Sequence, residues 1–284
     1  MKIKSIKAIA VNLSPDPKTQ PRVEVDPNGG YFVNPMDRYK FDPKYRSGTN
    51  WTRVACVVTA EDGTWGLGTT IHSGPVVSII NDHFSELLVG QNPMATEKIW
   101  DMMRRSSSPY GTAGVVSYAI SALDNAIWDL KGKLLKKPVY ELLGGPVKDD
   151  IFCYASNTML KYKTSDYMDW FLELGFKAVK VFLRHGPDEG LEGLNKNVEI
   201  VANTRKQIGP DIELAVDSWM SSNIEYAVRV SEALKPYNIK WLEDYMLPED
   251  MDSYSKVRQR VPGQILATGE HWYTVHPFSD AAGR

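Results

Sequence analysis

The sequence is poor in cysteine and has no apolar run long enough to cross a bilayer. Its two cysteines, Cys56 and Cys153, are far apart in the 284 residues, which excludes a small disulfide-stapled scaffold. Both lie in apolar runs and are therefore expected to be buried structural thiols in a reducing compartment. No apolar h-region follows Met1, so no signal peptide is expected. These absences predict a cytoplasmic location and no membrane partner.

The sequence also lacks an excess of charge of one sign. It carries 33 basic and 35 acidic residues, a formal net charge of −2 at pH 7, and it has no long basic run. A nucleic-acid partner or an anionic membrane surface is therefore not expected. Histidine is scarce, with five residues in the whole chain, and none of them precedes His72.

Alternating and periodic apolar patterns predict a small α+β domain over residues 1–115. The predicted strands cover residues 2–13, 53–60 and 65–70, and the predicted helices cover residues 75–89 and 95–105. Between the first two strands, prolines, glycines and charged residues break any periodicity over residues 14–50. Because long loops in compact enzymes are commonly lids, this aromatic-rich segment is expected to be a mobile loop that closes over the active site.

From residue 116 onward the pattern predicts a (β/α) barrel of the TIM type. A strongly helical stretch over residues 117–133 comes first, and from Ile151 onward strands alternate with helices. The predicted strands are residues 151–156, 177–183, 212–217, 239–243 and 265–269. The predicted helices are residues 165–174, 191–208, 223–236, 250–260 and 275–283. These are about five βα units, whereas a closed barrel has eight strands. Residues 116–284 are therefore expected to form a barrel that is apparently truncated at its C-terminus.

Three of the predicted barrel strands end at or near a carboxylate: Asp217, Glu243 and Glu270. Their spacings are 26 and 27 residues, which fits one strand, one loop and one helix. A single acidic residue after a strand is more often a helix N-cap or a solvated side chain. Three at matched spacing would converge at the carboxyl ends of neighbouring strands, where barrel enzymes have their active sites. Three oxygen ligands suit a hard cation, so the sequence predicts a Mg²⁺ site.

Several motifs resemble one enzyme family. Residues 122–133, with the sequence ALDNAIWDLKGK, and the following LLGG of residues 142–145 resemble the domain junction of the enolase superfamily, in its mandelate racemase-like branch. The carboxylate triad is similar to that family's Mg²⁺ ligands. Residues 185–190, 217–221 and 268–271 resemble more specifically the acid-sugar dehydratases of the L-rhamnonate type.

The resemblance implies a lyase of carbohydrate acid catabolism. It implies Mg²⁺-dependent dehydration of a sugar acid, L-rhamnonate or a related aldonate, to a 2-keto-3-deoxy sugar acid through a metal-stabilised enediolate. The family's dehydratases take their principal base from a His–Asp pair on later strands, expected here beyond Arg284. The chain by itself is therefore expected to be a poor or inactive dehydratase. The family's loop histidine is also absent, with Gln20 near the matching place.

Five further residues are candidates for roles in the site. His271 and Lys180 are the catalytic candidates, and Arg46, His185 and Trp219 are the substrate-binding candidates. Each has a structural alternative: His271 as a polar loop residue, Lys180 as the ion-pair partner of a ligand carboxylate, and Arg46 as a surface residue. For His185 the alternative is a structural or solvated loop position, and for Trp219 it is core packing.

Two other functions remain open at this point. A racemase or epimerase of the same superfamily would keep the fold and the metal, but it needs a lysine base where this sequence has Phe182. A catalytically silent binding or regulatory relative would keep only the fold. The expected partner of an enzyme is a small-molecule sugar acid, and a homo-oligomer is expected because barrel enzymes commonly form symmetric assemblies.

Overall fold

A computed structural model of the chain describes residues 1–12, 32–42, 44, 48–157 and 163–284. Arg46, Gln20 and much of the predicted loop over residues 14–50 lie outside the described residues. The described part forms two compact units. The first unit is drawn from residues 1–15, 50–151 and 273–276, and the second from residues 16–49, 152–272 and 277–284.

The first unit contains a three-stranded antiparallel sheet. Its strands are β1 (Ile3–Val11), β2 (Arg53–Ala60) and β3 (Trp65–Thr70), in that order across the sheet. Burial alternates along β2 because successive side chains point to opposite faces, so that Val54, Cys56 and Val58 are buried on one face. The predicted strands and their hairpin are confirmed.

Helices cover the buried face of this sheet. They are α1 (Ser73–Ser78), α2 (Ser85–Leu88), α3 (Thr96–Ser107) and α4 (Val115–Leu135), with a π-helical segment over Ile79–Phe84 joining the first two. A short helix α5 (Val139–Leu142), which buries no residue, follows α4. The sequence pattern places the longest of them, α4, in the barrel half. In the structure α4 packs in the first unit, because Ala122, Leu123, Ala126 and Leu130 are buried in the cluster that contains the sheet residues.

The close approach of α4 to β3 depends on two glycines. A Cβ atom on Gly66 would lie 2.0 Å from the carbonyl oxygen of Ala126, and one on Gly68 would lie 1.8 Å from that of Ala122. No side chain fits in such a space, so helix and strand are in contact backbone to backbone.

The second unit contains five parallel strands in sequential order. The strands are β4 (Ala155–Ser156), β5 (Ala178–Phe182), β6 (Glu213–Asp217), β7 (Leu242–Glu243) and β8 (Leu266–Ala267). The helices are α6 (Thr164–Glu173), α7 (Gly190–Ile208), α8 (Ile224–Leu234), α9 (Met251–Arg260) and α10 (His276–Gly283). This repeating βα arrangement confirms the predicted α/β fold class and its barrel-type half.

The strands are shorter than the sequence predicted at three places. β4, β7 and β8 have two residues each, because a strand ends where its hydrogen-bonded pairing ends and apolar composition alone does not set that point. Ile151 and Phe152, predicted to be in the first strand, are 78% and 66% exposed. Within the described residues, β4 and β8 are the two edges of the sheet.

The two cysteines differ from each other. Cys56 is buried in β2, and burial raises the pKa of its thiol to about 12. The prediction of a buried thiol is wrong for Cys153, which is exposed because it precedes β4 in an irregular segment. Among the described residues, no helix is long and apolar enough to span a membrane.

Candidate metal and substrate site

The carboxyl ends of β6 and β7 place two of the predicted ligands next to each other. Asp217 is the last residue of β6 and Glu243 the last residue of β7, and the two are register partners in the parallel ladder. Glu243 is in turn the register partner of Ala267 in β8, and Glu270 follows three residues later. The side chains of Asp217 and Glu243 are 1% and 12% exposed, whereas that of Glu270 is 49% exposed.

A buried lysine joins the first two carboxylates. The ammonium of Lys180, on the adjacent strand β5, lies 2.9 Å from Asp217 Oδ2 and 2.6 Å from Glu243 Oε1. Burial alone would lower the pKa of Lys180, but attraction to Asp217 and hydrogen bonds to both carboxylates outweigh it and raise that pKa above its ordinary value. Lys180 is therefore a positively charged group held among negative ones.

Both carboxylates are also fixed by nitrogen donors. The backbone N–H of Trp219 donates to Asp217 Oδ1 at 2.9 Å, and the indole of Trp241 donates to Glu243 Oε2 at 2.7 Å. Burial raises the pKa of Asp217 to about 7, with repulsion from Glu243 adding to the effect and Lys180 opposing it. Burial thus disfavours the ionised form of Asp217, and the cation beside it favours that form.

The third predicted ligand lies beside the predicted catalytic histidine. His271 Nε2 is 3.0 Å from Glu270 Oε1 and 3.9 Å from Asp244 Oδ2. The hydrogen bond to Glu270 raises the pKa of His271, although burial opposes it, and the same bond lowers the pKa of Glu270. Glu270 and His271 thus form an ion pair when His271 is protonated.

Asp244 is a further acidic residue of the site, and the strand-end spacing does not predict it. This carboxylate is 1% exposed, and its Oδ2 has no hydrogen-bond partner among the residues that the structure describes. One ligand atom each from Asp244, Glu270 and His271 lie within 4.8 Å of one another. If side chains alternated here as in a regular strand, residue 244 would lie on the face opposite Glu243. Strand alternation therefore gives no reason to predict Asp244 as a site residue. The available signal was the pair of consecutive acidic residues at a strand end.

Left-handed backbone conformations shape the two loops that follow β6 and β7. Trp219, Met220 and Asp244 have φ values of 36°, 64° and 41°, which are unfavourable for residues other than glycine. The N–H of Met220 donates to the carbonyl oxygen of Asp244 at 2.5 Å, joining the two loops. Strain of this kind is commonly found at functional sites, where the surrounding structure holds it in place.

Trp219 forms part of an aromatic wall beside these groups. Its ring contacts Phe32 edge to face, with centroids 4.6 Å apart, and His271 with centroids 5.8 Å apart. Phe32 also packs on Phe182, and the N–H of the next residue, Val33, donates to the carbonyl oxygen of Leu183. The described part of the predicted loop therefore lies at the carboxyl ends of the parallel strands.

His185 makes a different set of contacts. Its Nδ1 lies 2.8 Å from Glu189 Oε2, and Glu189 is also ion-paired with Lys40. The buried side chain of Asn197 fixes the backbone of His185: its Oδ1 accepts from the N–H, and its Nδ2 donates to the carbonyl. Nearby, Asn34, Asp37, Asp188 and Ser222 line part of a pocket of about 200 Å³.

Comparison with protein families identifies the fold. Residues 45–144 match the mandelate racemase / muconate lactonizing enzyme N-terminal domain, and residues 165–284 match the enolase C-terminal domain-like family. The chain belongs to the mandelate racemase-like branch of the enolase superfamily. The resemblance inferred from the motifs is thereby confirmed.

Several relatives of this superfamily member carry the same description. It is 41% identical over 255 residues to an L-rhamnonate dehydratase of Saccharopolyspora erythraea, a match covering 87% of this chain and 63% of that protein. It is 39% identical to a putative L-rhamnonate dehydratase of Caldivirga maquilingensis, covering 88% and 61%. The structure of rhamnonate dehydratase from Gibberella zeae complexed with Mg has a TM-score of 0.84 at 30% identity, covering 100% of this chain and 69% of that one. The chain thus spans somewhat less than two thirds of the two relatives matched by sequence.

Proposed function

We propose that the protein is a Mg²⁺-dependent dehydratase that converts a sugar acid, L-rhamnonate or a related aldonate, to a 2-keto-3-deoxy sugar acid. The observation that carries the proposal is the group of strand-end carboxylates, with Asp217 and Glu243 held by one buried ammonium. The relatives described as L-rhamnonate dehydratases support the choice of substrate class.

Asp217, Glu243 and Glu270 would hold the metal. The donor chemistry fits, because Mg²⁺ prefers carboxylate oxygens and usually keeps water or substrate in its other positions. The setting fits as well, since Asp217 is buried and both Asp217 and Glu243 are already paired with a cation. When bound, Mg²⁺ supplies Lewis-acid polarisation of the substrate's carboxylate.

The chain's own residues would position the substrate and move protons. His271 can hold a proton at Nε2, where it contacts Glu270, and it is the candidate acid for the departing hydroxyl group. Lys180 keeps a positive charge beside the site. Trp219 supplies an aromatic wall. Positioned proton transfer is worth about 10²- to 10⁴-fold in rate, which sets the expected cost of losing His271.

An assay across sugar acids in deuterated water tests the proposal. L-rhamnonate and its stereoisomers are incubated with and without Mg²⁺, while the 2-keto-3-deoxy product and exchange of the α-proton are followed. Because the principal base is expected on later strands, we expect the Mg²⁺-dependent keto product to form slowly. His271→Asn is expected to lower this rate further, whereas the control His276→Asn, at an exposed histidine, is not. Epimer formation without loss of water would favour the racemase alternative. Absence of Mg²⁺ binding would favour the catalytically silent alternative.

Arg46 and His185 remain proposed substrate contacts. Arg46→Ala is expected to raise KM or lower kcat/KM without changing Mg²⁺ affinity, since an arginine clamps a carboxylate or hydroxyl groups and not the metal. Arg53, exposed in β2, gives the matched control Arg53→Ala. Unchanged kinetics of Arg46→Ala across the sugar-acid panel would remove this role.

We also propose that the protein is a homo-oligomer and that it is located in the cytoplasm. Leu143, Val147 and Ile151 are 67%, 92% and 78% exposed, and exposed apolar side chains in such a short segment are typical of surfaces that pair. Light scattering on the purified protein measures the oligomeric state. The cytoplasmic location is supported by the two cysteines, which form no disulfide bond within the described residues.

A further inference from the structure

The ammonium of Lys180 is enclosed by groups that stabilise a cation. Besides the carboxylates of Asp217 and Glu243, the ring centroids of Tyr154 and Phe182 lie 5.6 Å and 5.4 Å from Nζ. Aromatic faces at this distance attract a cation. Lys180 itself is only 4% exposed. The chain thus has an internal cation at the place where two of the proposed metal ligands meet.

The strand register places this lysine at the carboxylates. Lys180 pairs with Ala215 in β6, two residues before the pair formed by Phe182 and Asp217. Since side chains alternate along a strand, Lys180 and Phe182 leave the sheet on the same side. The long lysine side chain then reaches forward to the strand ends, and its neighbours hold the ammonium there.

We propose that Lys180 is an internal counter-ion that takes the place of the metal charge in the metal-free protein and competes with Mg²⁺ for Asp217 and Glu243. The inference rests on the proposed metal site. The carboxylates of Asp217 and Glu243, whose side chains are 1% and 12% exposed, repel each other and need a positive partner. Lys180 provides that positive charge before the metal binds. Because its ammonium stays close to the bound metal ion, repulsion between the two lowers the affinity for Mg²⁺. Lys180 therefore tunes metal affinity as a positioning residue.

Removal of the lysine charge tests the competition directly. Calorimetric titration with MgCl₂ alone measures the Mg²⁺ affinity of the wild type and of Lys180→Met, and thermal unfolding of both is recorded with and without Mg²⁺. Lys180→Met is expected to bind Mg²⁺ about tenfold tighter or more, because a unit charge a few ångströms from a divalent cation is removed. Its metal-free Tm is expected to fall, and Mg²⁺ is expected to raise that Tm by more than it does for the wild type.

Two control variants isolate the charge and its location. Lys180→Arg keeps the charge and is expected to keep the wild-type affinity within a few-fold. Lys240→Met removes a lysine that is ion-paired with Glu213, at the opposite ends of the strands, and is expected to leave Mg²⁺ affinity unchanged.

The possible outcomes separate this inference from the proposed function. Equal Mg²⁺ affinity of wild type and Lys180→Met, or weaker binding by the variant, overturns the counter-ion role and leaves the metal site standing. Lys180→Met that stays unfolded even in excess Mg²⁺ also overturns it, because the metal then does not replace the ammonium. Absence of Mg²⁺ binding in both proteins overturns the inference together with the metal site. Binding by the variant alone supports the inference in its strongest form.

Discussion

Asp217 and Glu243 are register partners at the ends of adjacent parallel strands, so that two carboxylates, with side chains 1% and 12% exposed, leave the sheet at the same edge. An arrangement of two like charges with little access to water is unfavourable unless a cation lies between them. In this protein the cation is Lys180, which contacts both. The site thus favours a positive charge. From the relationship to the enolase superfamily we propose that a divalent metal ion binds here as well.

Asn197 is expected to be the residue most important for the loop that carries His185. Its side chain is 1% exposed and hydrogen-bonds to the backbone of Arg184 and His185 and to the hydroxyl of Tyr226. Asn197→Ala leaves these buried groups without partners and should lower the free energy of unfolding by about 2–3 kcal/mol. Urea denaturation measures it. Asn195→Ala, at an exposed position on the same helix, should change the unfolding free energy by less than about 0.5 kcal/mol.

Gly68 tests the backbone contact in the first unit. A methyl group at this position meets the carbonyl oxygen of Ala122 at 1.8 Å, so Gly68→Ala forces α4 away from β3. The expected cost is about 1–3 kcal/mol of unfolding free energy, as for other overpacked cores, and it appears as a lower Tm. Gly263, where an added Cβ would have no neighbour within 4 Å, provides the control Gly263→Ala. Equal Tm values of the two variants would contradict the contact.

The contacts of Glu189 predict a dependence of stability on pH. Burial alone would raise its pKa, but hydrogen bonds from Lys40 and His185 outweigh it, so the pKa of Glu189 is lowered in the folded protein. A lowered carboxyl pKa stabilises the fold above the unfolded value of about 4.3, and this stabilisation is lost as pH falls through the folded value. Glu189→Gln should therefore be less stable than wild type at neutral pH, with the difference shrinking below about pH 4. Glu199→Gln, at an exposed glutamate, is the control. If the difference in unfolding free energy between wild type and Glu189→Gln stayed constant from neutral pH to below about pH 4, the predicted role of Glu189 would be wrong.

Helices of the second unit were predictable within one or two residues because their signals are local. The apolar period marks their length, and a side-chain cap marks a start, as where Asn223 accepts from the N–H of Tyr226 and Asp250 from that of Ser253. Strand lengths were less predictable, since pairing partners lie 20 or more residues away along the chain. The extended prediction over residues 151–156 therefore reduced to two paired residues.

The candidate site likewise has a part that the sequence predicts and a part that depends on the pairing of distant strands. The strand-end carboxylates could be found from spacing, because a βα repeat has a regular length. That Lys180 reaches both of them depends on register across three strands, which a sequence pattern does not contain. Asp244 could not be predicted from the alternation of side chains along the strand, because its own left-handed backbone conformation breaks that alternation.

Whether Asp217, Glu243 and Glu270 form one metal site is measured by calorimetric titration of Mg²⁺ into the wild type and into Glu243→Gln. The substitution keeps the shape of the side chain and removes one ligand charge. We expect Glu243→Gln to bind Mg²⁺ at least about tenfold more weakly than the wild type, which corresponds to about 1.4 kcal/mol. Glu249→Gln, outside the proposed ligand set, serves as the control and should bind as the wild type does. If Glu243→Gln binds Mg²⁺ as tightly as the wild type, the metal site proposed here is wrong.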